Sequence, residues 1–267
     1  DNGDGPVLSY FKYSDITNGW QALKDKIDSD LFAGYTDIPH VRIGNNFVLC
    51  ASGKMIKVYS HTGSQLELID SLDYAPGLTP DYVVGDNFYA YTFVSSIRNK
   101  GVLIKTWDST SFSSTTISPA SCDTLIGCDE YTLCPVGNRL VISWNDWMCG
   151  YRKMGYVSYS NSTGWSSLTT IDSVSFGTSS ESWSSNSVSI SSNEFVAMWC
   201  HLNGENSVNP QHEPAIVKAY SFHGNSLVKS TVDEISRRSY TVNSSTVYED
   251  HSYWAIQPGD NSIIISR

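Results

Sequence analysis

The chain has 267 residues, 40% of them hydrophobic and 12% aromatic, enough to bury a substantial core in a single domain. Charge is sparse and acidic: 17 basic against 27 acidic side chains give a net −10, which argues against nucleic acid or an anionic membrane as the main partner. No apolar run approaches the length of a membrane span or of a signal-peptide core, so the expectation is a soluble mature chain or ectodomain without direct membrane insertion.

The first predicted element is the N-terminal run from Val7 to Ser14, followed across a turn by a second, Asn18 to Leu23. Units of four short strands follow at roughly 39–70, 81–118, 131–171 and 187–232. The second unit is the clearest, with Tyr82-Val83-Val84, a turn at Gly85-Asp86-Asn87, then Phe88 to Phe93, Val102 to Trp107 and Phe112 to Ile117. Four β-type runs joined by short turns read as one up-and-down antiparallel sheet. The first turn recurs as Gly44-Asn45-Asn46, Gly137-Asn138, Ser192-Asn193 and Gly259-Asp260-Asn261. Such residues tolerate the positive φ that tight hairpins need. The third connection recurs as Ser60-His61-Thr62-Gly63, Ser160 to Trp165 and Ser221-Phe222-His223-Gly224.

The C-terminal runs Tyr253 to Ile256 and Ile263 to Ile265 match a first and a second strand, and the N-terminal pair matches a third and a fourth. A repeat of about 40–55 residues with four strands each is the signature of a β-propeller. The prediction is an all-β chain, a single five-bladed propeller over residues 1–267. Its last blade combines 251–267 with 7–24, so that strands from both termini close the ring and remove an exposed sheet edge.

Six cysteines, Cys50, Cys122, Cys128, Cys134, Cys149 and Cys200, accompany two sequons, Asn161-Ser162-Thr163 and Asn243-Ser244-Ser245. Together they favour a secreted or cell-surface setting with glycosylation at Asn161 and Asn243. Zinc fails on spacing, because there is no C-x₂-C pair. Cys149 and Cys200 both follow second strands of neighbouring blades and are expected to bridge, with Cys122, Cys128 and Cys134 as further disulfide candidates. Cys50, inside a strand, reads as a buried thiol.

Function is expected where the loops are unequal. Turns after first and third strands are short and stereotyped, whereas those after second and fourth strands are long and chemically varied. The long-loop face carries the candidate ligand-binding residues Tyr35, Tyr74, Asp146, Trp147, Tyr151, Arg152, Trp183, His201, Asn203 and His212. Its densest stretch runs from Asn145 to Lys153. Aromatic rings beside carboxylates, amides and guanidinium groups suit sugars, whose C–H faces stack on rings while hydroxyls take directed hydrogen bonds. Trp147 and Trp183 equally suit gaps between blades. The six histidines show no metal-binding spacing and no cofactor motif is present, although acidic residues at the blade lead-ins would also suit a structural calcium in a central channel.

The hairpins Ser14-Asp15-Ile16-Thr17-Asn18-Gly19-Trp20 and Ser160 to Trp165 resemble degenerate Asp boxes, the S-x-D-x-G-x-T-W turns of sialidase-type propellers. The second lacks the defining aspartate, and an arginine triad would need Arg42, Arg152 and Arg237 or Arg238. Sialidases use six blades, so the resemblance implies fold rather than sialidase catalysis. Five blades are typical of tachylectin-like lectins and of glycosidases resembling arabinanases and fructosidases. The glycosidase resemblance implies carboxylates at the starts of first strands, where Asp37, Asp81, Glu130, Glu181 and Asp250 fall. The expected function is therefore glycan or glycoprotein-receptor binding at one asymmetric site. The alternatives are glycoside hydrolysis and a viral or cell-surface attachment domain that binds protein through the same loops.

Overall fold

The computed structural model describes residues 10–13, 20–24, 40–43, 47–52, 55–62, 65–73, 81–96, 99–108, 111–118, 129–146, 151–175, 181–203, 215–224, 226–235, 239–242, 245–248, 255–259 and 262–266. The chain divides into two compact units, residues 1–80 and 81–267. Every element among the described residues is a strand, and every pairing between strands is antiparallel.

In the first unit, β1 (Tyr10–Tyr13) and β2 (Trp20–Lys24) form a two-stranded sheet. A four-stranded meander follows: β3 (His40–Ile43), β4 (Phe47–Ser52), β5 (Met55–Thr62) and β6 (Gln65–Asp73). Phe47, Leu49, Cys50, Ile56 and Val58 are its buried centre. An apolar residue at nearly every position of β4 means that both faces of that strand are covered, which alternation alone would not give.

The second unit opens with the meander β7 (Tyr82–Val84), β8 (Phe88–Ser96), β9 (Asn99–Trp107) and β10 (Phe112–Ile117). The next sheet contains β11 (Asp129–Val136), β12 (Arg139–Asp146) and β13 (Tyr151–Ser160), whose outer neighbour is split into β14 (Gly164–Trp165) and β15 (Thr169–Ser175). The third is β16 (Glu181–Ser189), β17 (Glu194–Asn203), β18 (Ala215–His223) and β19 (Ser226–Ile235). Two hairpins complete the chain: β20 (Ser239–Val242) with β21 (Ser245–Tyr248), and β22 (Ala255–Gly259) with β23 (Ser262–Ser266).

Two apolar layers hold the three sheets of this unit face to face. Phe88, Ala90, Val102 and Ile104 of the first meander pack on Leu133, Leu140, Ile142, Trp144 and Val157 of the next. The opposite face of that middle sheet, through Cys134, Val136, Val141 and Met154, packs on Phe195, Ala197, Trp199, Tyr220 and Phe222. The first strands adjoin one another, β11 beside both β7 and β16, and β16 beside β22. Four-stranded meanders stacked face to face, with their first strands side by side, are arranged as blades of a β-propeller. Four observed sheets thus overlap the four predicted repeat units, and the β20–β21 hairpin lies between the last of these units and the predicted final blade.

Candidate functional site

The long-loop end of the middle sheet is set by a continuous register. Asp146 pairs with Tyr151, Asn145 with Arg152, and Trp144 with Lys153, while Asp129 of β11 stands opposite Asn145. Period-two alternation then sorts these side chains onto two faces. Trp144, Asp146, Tyr151 and Lys153 share the face that packs on the β7–β10 meander, because Leu140, Ile142 and Val157 do. Arg152 falls on the opposite face with Ser143 and Thr132.

On the first face, Asp146 is fully buried and accepts a 2.6 Å ion-pair hydrogen bond from Lys153 Nζ. Tyr151 is 39% exposed, and the Lys153 ammonium lies 6.0 Å from its ring centroid. Beneath them Trp144 is buried, and its indole N–H has no hydrogen-bond partner among the described residues. The result is a solvent-facing ring flanked by a carboxylate and an ammonium, all held on paired strands rather than on a free loop.

On the second face, Arg152 is only 1% exposed and donates to the hydroxyls of Ser143 (3.4 Å) and Thr132 (3.5 Å), which also bond each other. A guanidinium this deeply enclosed braces the sheet from within, bonding hydroxyls of both β11 and β12. The prediction grouped Arg152 with Tyr151 as ligand contacts because they are neighbours in sequence. Alternation separates them.

The same end of the unit holds the starts of the first strands β11 and β16. A Cβ placed on Gly137, just after β11, would lie 2.5 Å from the carbonyl oxygen of Ser192, just after β16. The C-terminal ends of these adjoining strands therefore lie together, and their starts, with Glu130 and Glu181, share the other end. A register shift between Asp129 and Thr132 marks a bulge at that point. Across β16 and β17, Glu181 stands opposite Asn203, and Trp183 opposite His201. Asp81, just before β7, has a structural engagement. Its Oδ2 accepts the Leu133 backbone N–H at 3.0 Å, and its own N–H donates to Thr92 Oγ1. Tyr35, Asp37, Tyr74, Trp147, His212, Asp250 and Asn243 lie outside the described residues, as do Cys122, Cys128 and Cys149.

Cys134 corrects one expectation. It was a disulfide candidate, but it is a free thiol enclosed in the layer between β11 and β16, and burial, partly offset by a hydrogen bond to Ser187, pushes its pKa up to about 12. A thiol there is an inert packing group. Cys200 lies in β17. Cys50 is a buried thiol in β4, as its place in a strand suggested.

A second buried polar cluster, unforeseen from sequence, centres on β15, where Asp172 stands opposite Met154. Asp172 of β15 accepts from Lys218 Nζ (2.9 Å) and Tyr220 OH (2.8 Å) through Oδ2, and from Lys229 Nζ (3.2 Å) and Ser173 N (2.9 Å) through Oδ1. Trp199 Nε1 donates to the Tyr220 oxygen at 3.3 Å. Four donors satisfy this carboxylate, so it joins the middle sheet to the β16–β19 sheet. No groups of three or more His, Cys, Asp or Glu with metal-site geometry occur among the described residues.

No protein-family model and no curated protein matches the sequence. Among solved structures, the chain is similar to a protein assigned as a 6-phosphogluconolactonase from Bacteroides fragilis, at 10% identity and a TM-score of 0.39, over 86% of this chain and 65% of that one. It is also similar to Kluyvelomyces marxianus Hsv2, at 8% identity and a TM-score of 0.32, over 78% of this chain and 74% of that one. The chain thus spans just under two thirds of the length of the first. At these scores neither similarity bears on activity.

Proposed function

We propose that this chain is a secreted or cell-surface β-propeller that binds a glycan at its long-loop end, without hydrolysing it. The observation that carries this reading is the Tyr151 ring. It is presented to solvent from a paired strand, with the Asp146 carboxylate and the Lys153 ammonium beside it. A ring on a paired strand offers a stacking surface to sugar C–H groups at little entropic cost, and the partly exposed Lys153 ammonium, held in place by the buried Asp146 carboxylate, supplies donors for hydroxyls. A glycan array probed with the full chain, beside a panel of chromogenic glycosides, tests the proposal. Retention of one glycan class with no glycoside cleavage is the expected result.

A hydrolase is the second reading, favoured by Glu130 and Glu181 at the starts of adjoining strands. Paired carboxylates are the machinery of glycosidic cleavage. Turnover in the panel that is lost in Glu130→Gln and Glu181→Gln would establish it. Asp81 is a poorer candidate, because its carboxylate is committed to the Leu133 amide. An attachment domain would bind a receptor equally well after enzymatic deglycosylation. We further propose five blades, the last assembled from strands of both termini. Deleting residues 1–24 should then abolish cooperative folding, and a soluble truncation that melts in one sharp transition would refute the shared blade.

A further inference from the structure

Besides the Asp86-Asn87 turn, three exposed hairpin turns of the second unit carry an asparagine, and the fold uses two of these three. Asn138 Nδ2 donates to the Tyr159 carbonyl at 2.8 Å, and Asn193 Oδ1 accepts from Arg139 at 3.3 Å. Both carboxamides are spent on holding strands together. The third, Asn161, sits in the turn between β13 and β14, exposed to solvent, and its side chain makes no hydrogen bond among the described residues.

The rest of that turn leaves the side chain accessible. Ser160 ties down the intervening residue, its Oγ bonding Ser162 Oγ at 2.9 Å and accepting the Ser162 N–H at 3.3 Å. Thr163 closes the turn through its backbone N–H to the Ser160 carbonyl, while its hydroxyl has no hydrogen bond among the described residues. Gly164 follows at φ 71°, with no atom within 4 Å of where a Cβ would stand. An unengaged carboxamide thus stands two residues before an unengaged hydroxyl, on an exposed turn, in the order Asn-Ser-Thr. That is the pattern an N-glycosylating transferase requires of its acceptor.

We propose that Asn161 is an acceptor for an N-linked oligosaccharide. The donor class is a lipid-pyrophosphate-linked oligosaccharide. Asn161 Nδ2 forms a bond to the anomeric carbon as the bond from that carbon to the phosphate oxygen breaks, the lipid pyrophosphate leaves with the electron pair, and the amide nitrogen loses one proton. The position keeps the sugar clear of the long-loop end. β13 runs ten residues from Tyr151 to Ser160, so at about 3.3 Å per residue the acceptor turn is about 30 Å from Tyr151. The inference does not depend on the chain binding glycans.

The test is secretion of the full chain from a eukaryotic host with a control sequon in an appended flexible tail, followed by peptide mass mapping before and after a glycan-releasing amidase that hydrolyses the Asn–sugar amide bond and so converts occupied Asn to Asp. The expected result is occupancy at Asn161, lost to background in Asn161→Gln and Thr163→Ala and retained in Thr163→Ser. A secreted chain whose control sequon is occupied while Asn161 remains an unmodified amide would overturn the proposal. Occupancy that survives Thr163→Ala would equally contradict it.

Discussion

A carboxylate enclosed between two sheets is tolerated only when its partners replace the water it loses, and Asp172 meets that condition with two ammonium groups, a phenol and an amide. Burial pushes its pKa up, but the hydrogen bonds from Lys218 and Tyr220 and the nearby Lys218 charge together outweigh burial and hold it below the ordinary value of 3.8. Because the folded-state value is depressed, the stabilisation is complete at pH well above 3.8 and is lost as pH falls through the folded value. Denaturant midpoints measured across the acid range should therefore fall, and the fall should be shallower in Asp172→Asn. Asp172→Ala, which strands the lysines and Tyr220, should cost about 3 kcal/mol. Lys229→Ala should cost under about 1 kcal/mol, since that ammonium is half exposed and screened. Equal costs for the two would mean that the cluster does not join the sheets.

At this scale the sequence is informative about chemistry and poor about facing. Asp146 and Tyr151 were legible as site candidates because acidic and aromatic residues crowd one long connection. Trp144 was missed, and Arg152 was grouped with the wrong neighbours. Both follow from the pairing of Trp144 with Lys153 and of Asn145 with Arg152, a register that composition does not set. Asp172 gave no signal at all, because its side-chain partners lie 46, 48 and 57 residues away.

Turns carry the next level of specification, and two glycines separate backbone conformation from packing. Gly137 and Gly164 both adopt positive φ, at 56° and 71°. A Cβ on Gly164 would meet open space, so Gly164→Ala should cost only the left-handed penalty, about 1 kcal/mol. A Cβ on Gly137 would also press on the Ser192 carbonyl of the adjoining sheet, so Gly137→Ala should cost clearly more. Thermal melts of the two variants check the order, and a Gly164 variant as damaged as the Gly137 one would contradict the packing of β11 against β16. The Gly137-Asn138 turn was legible because only a few residues accept that backbone. The division of one outer strand into β14 and β15 was not, nor was the β20–β21 hairpin. Its flanking runs, Tyr240-Thr241-Val242 and Thr246-Val247-Tyr248, alternate around a short polar turn and in retrospect carry a hairpin signature.

Across the whole molecule, the repeat was the strongest signal in the sequence, because each sheet must bury an apolar face that only another sheet can cover. That is why four observed sheets fall on four predicted units, and why β11, β12 and β17 carry apolar residues on both faces. Ligand identity lies at a level the repeat does not encode, in a few side chains at strand ends. The central claim is that Tyr151, not the buried layer behind it, makes the binding surface. Titration calorimetry of the glycan retained on the array, with wild type and Tyr151→Ala compared at equal melting temperature, tests it most directly. The account predicts a loss of about 1–3 kcal/mol in binding free energy, roughly a 5- to 150-fold rise in Kd, without loss of stability. An unchanged Kd in a folded Tyr151→Ala protein would contradict it.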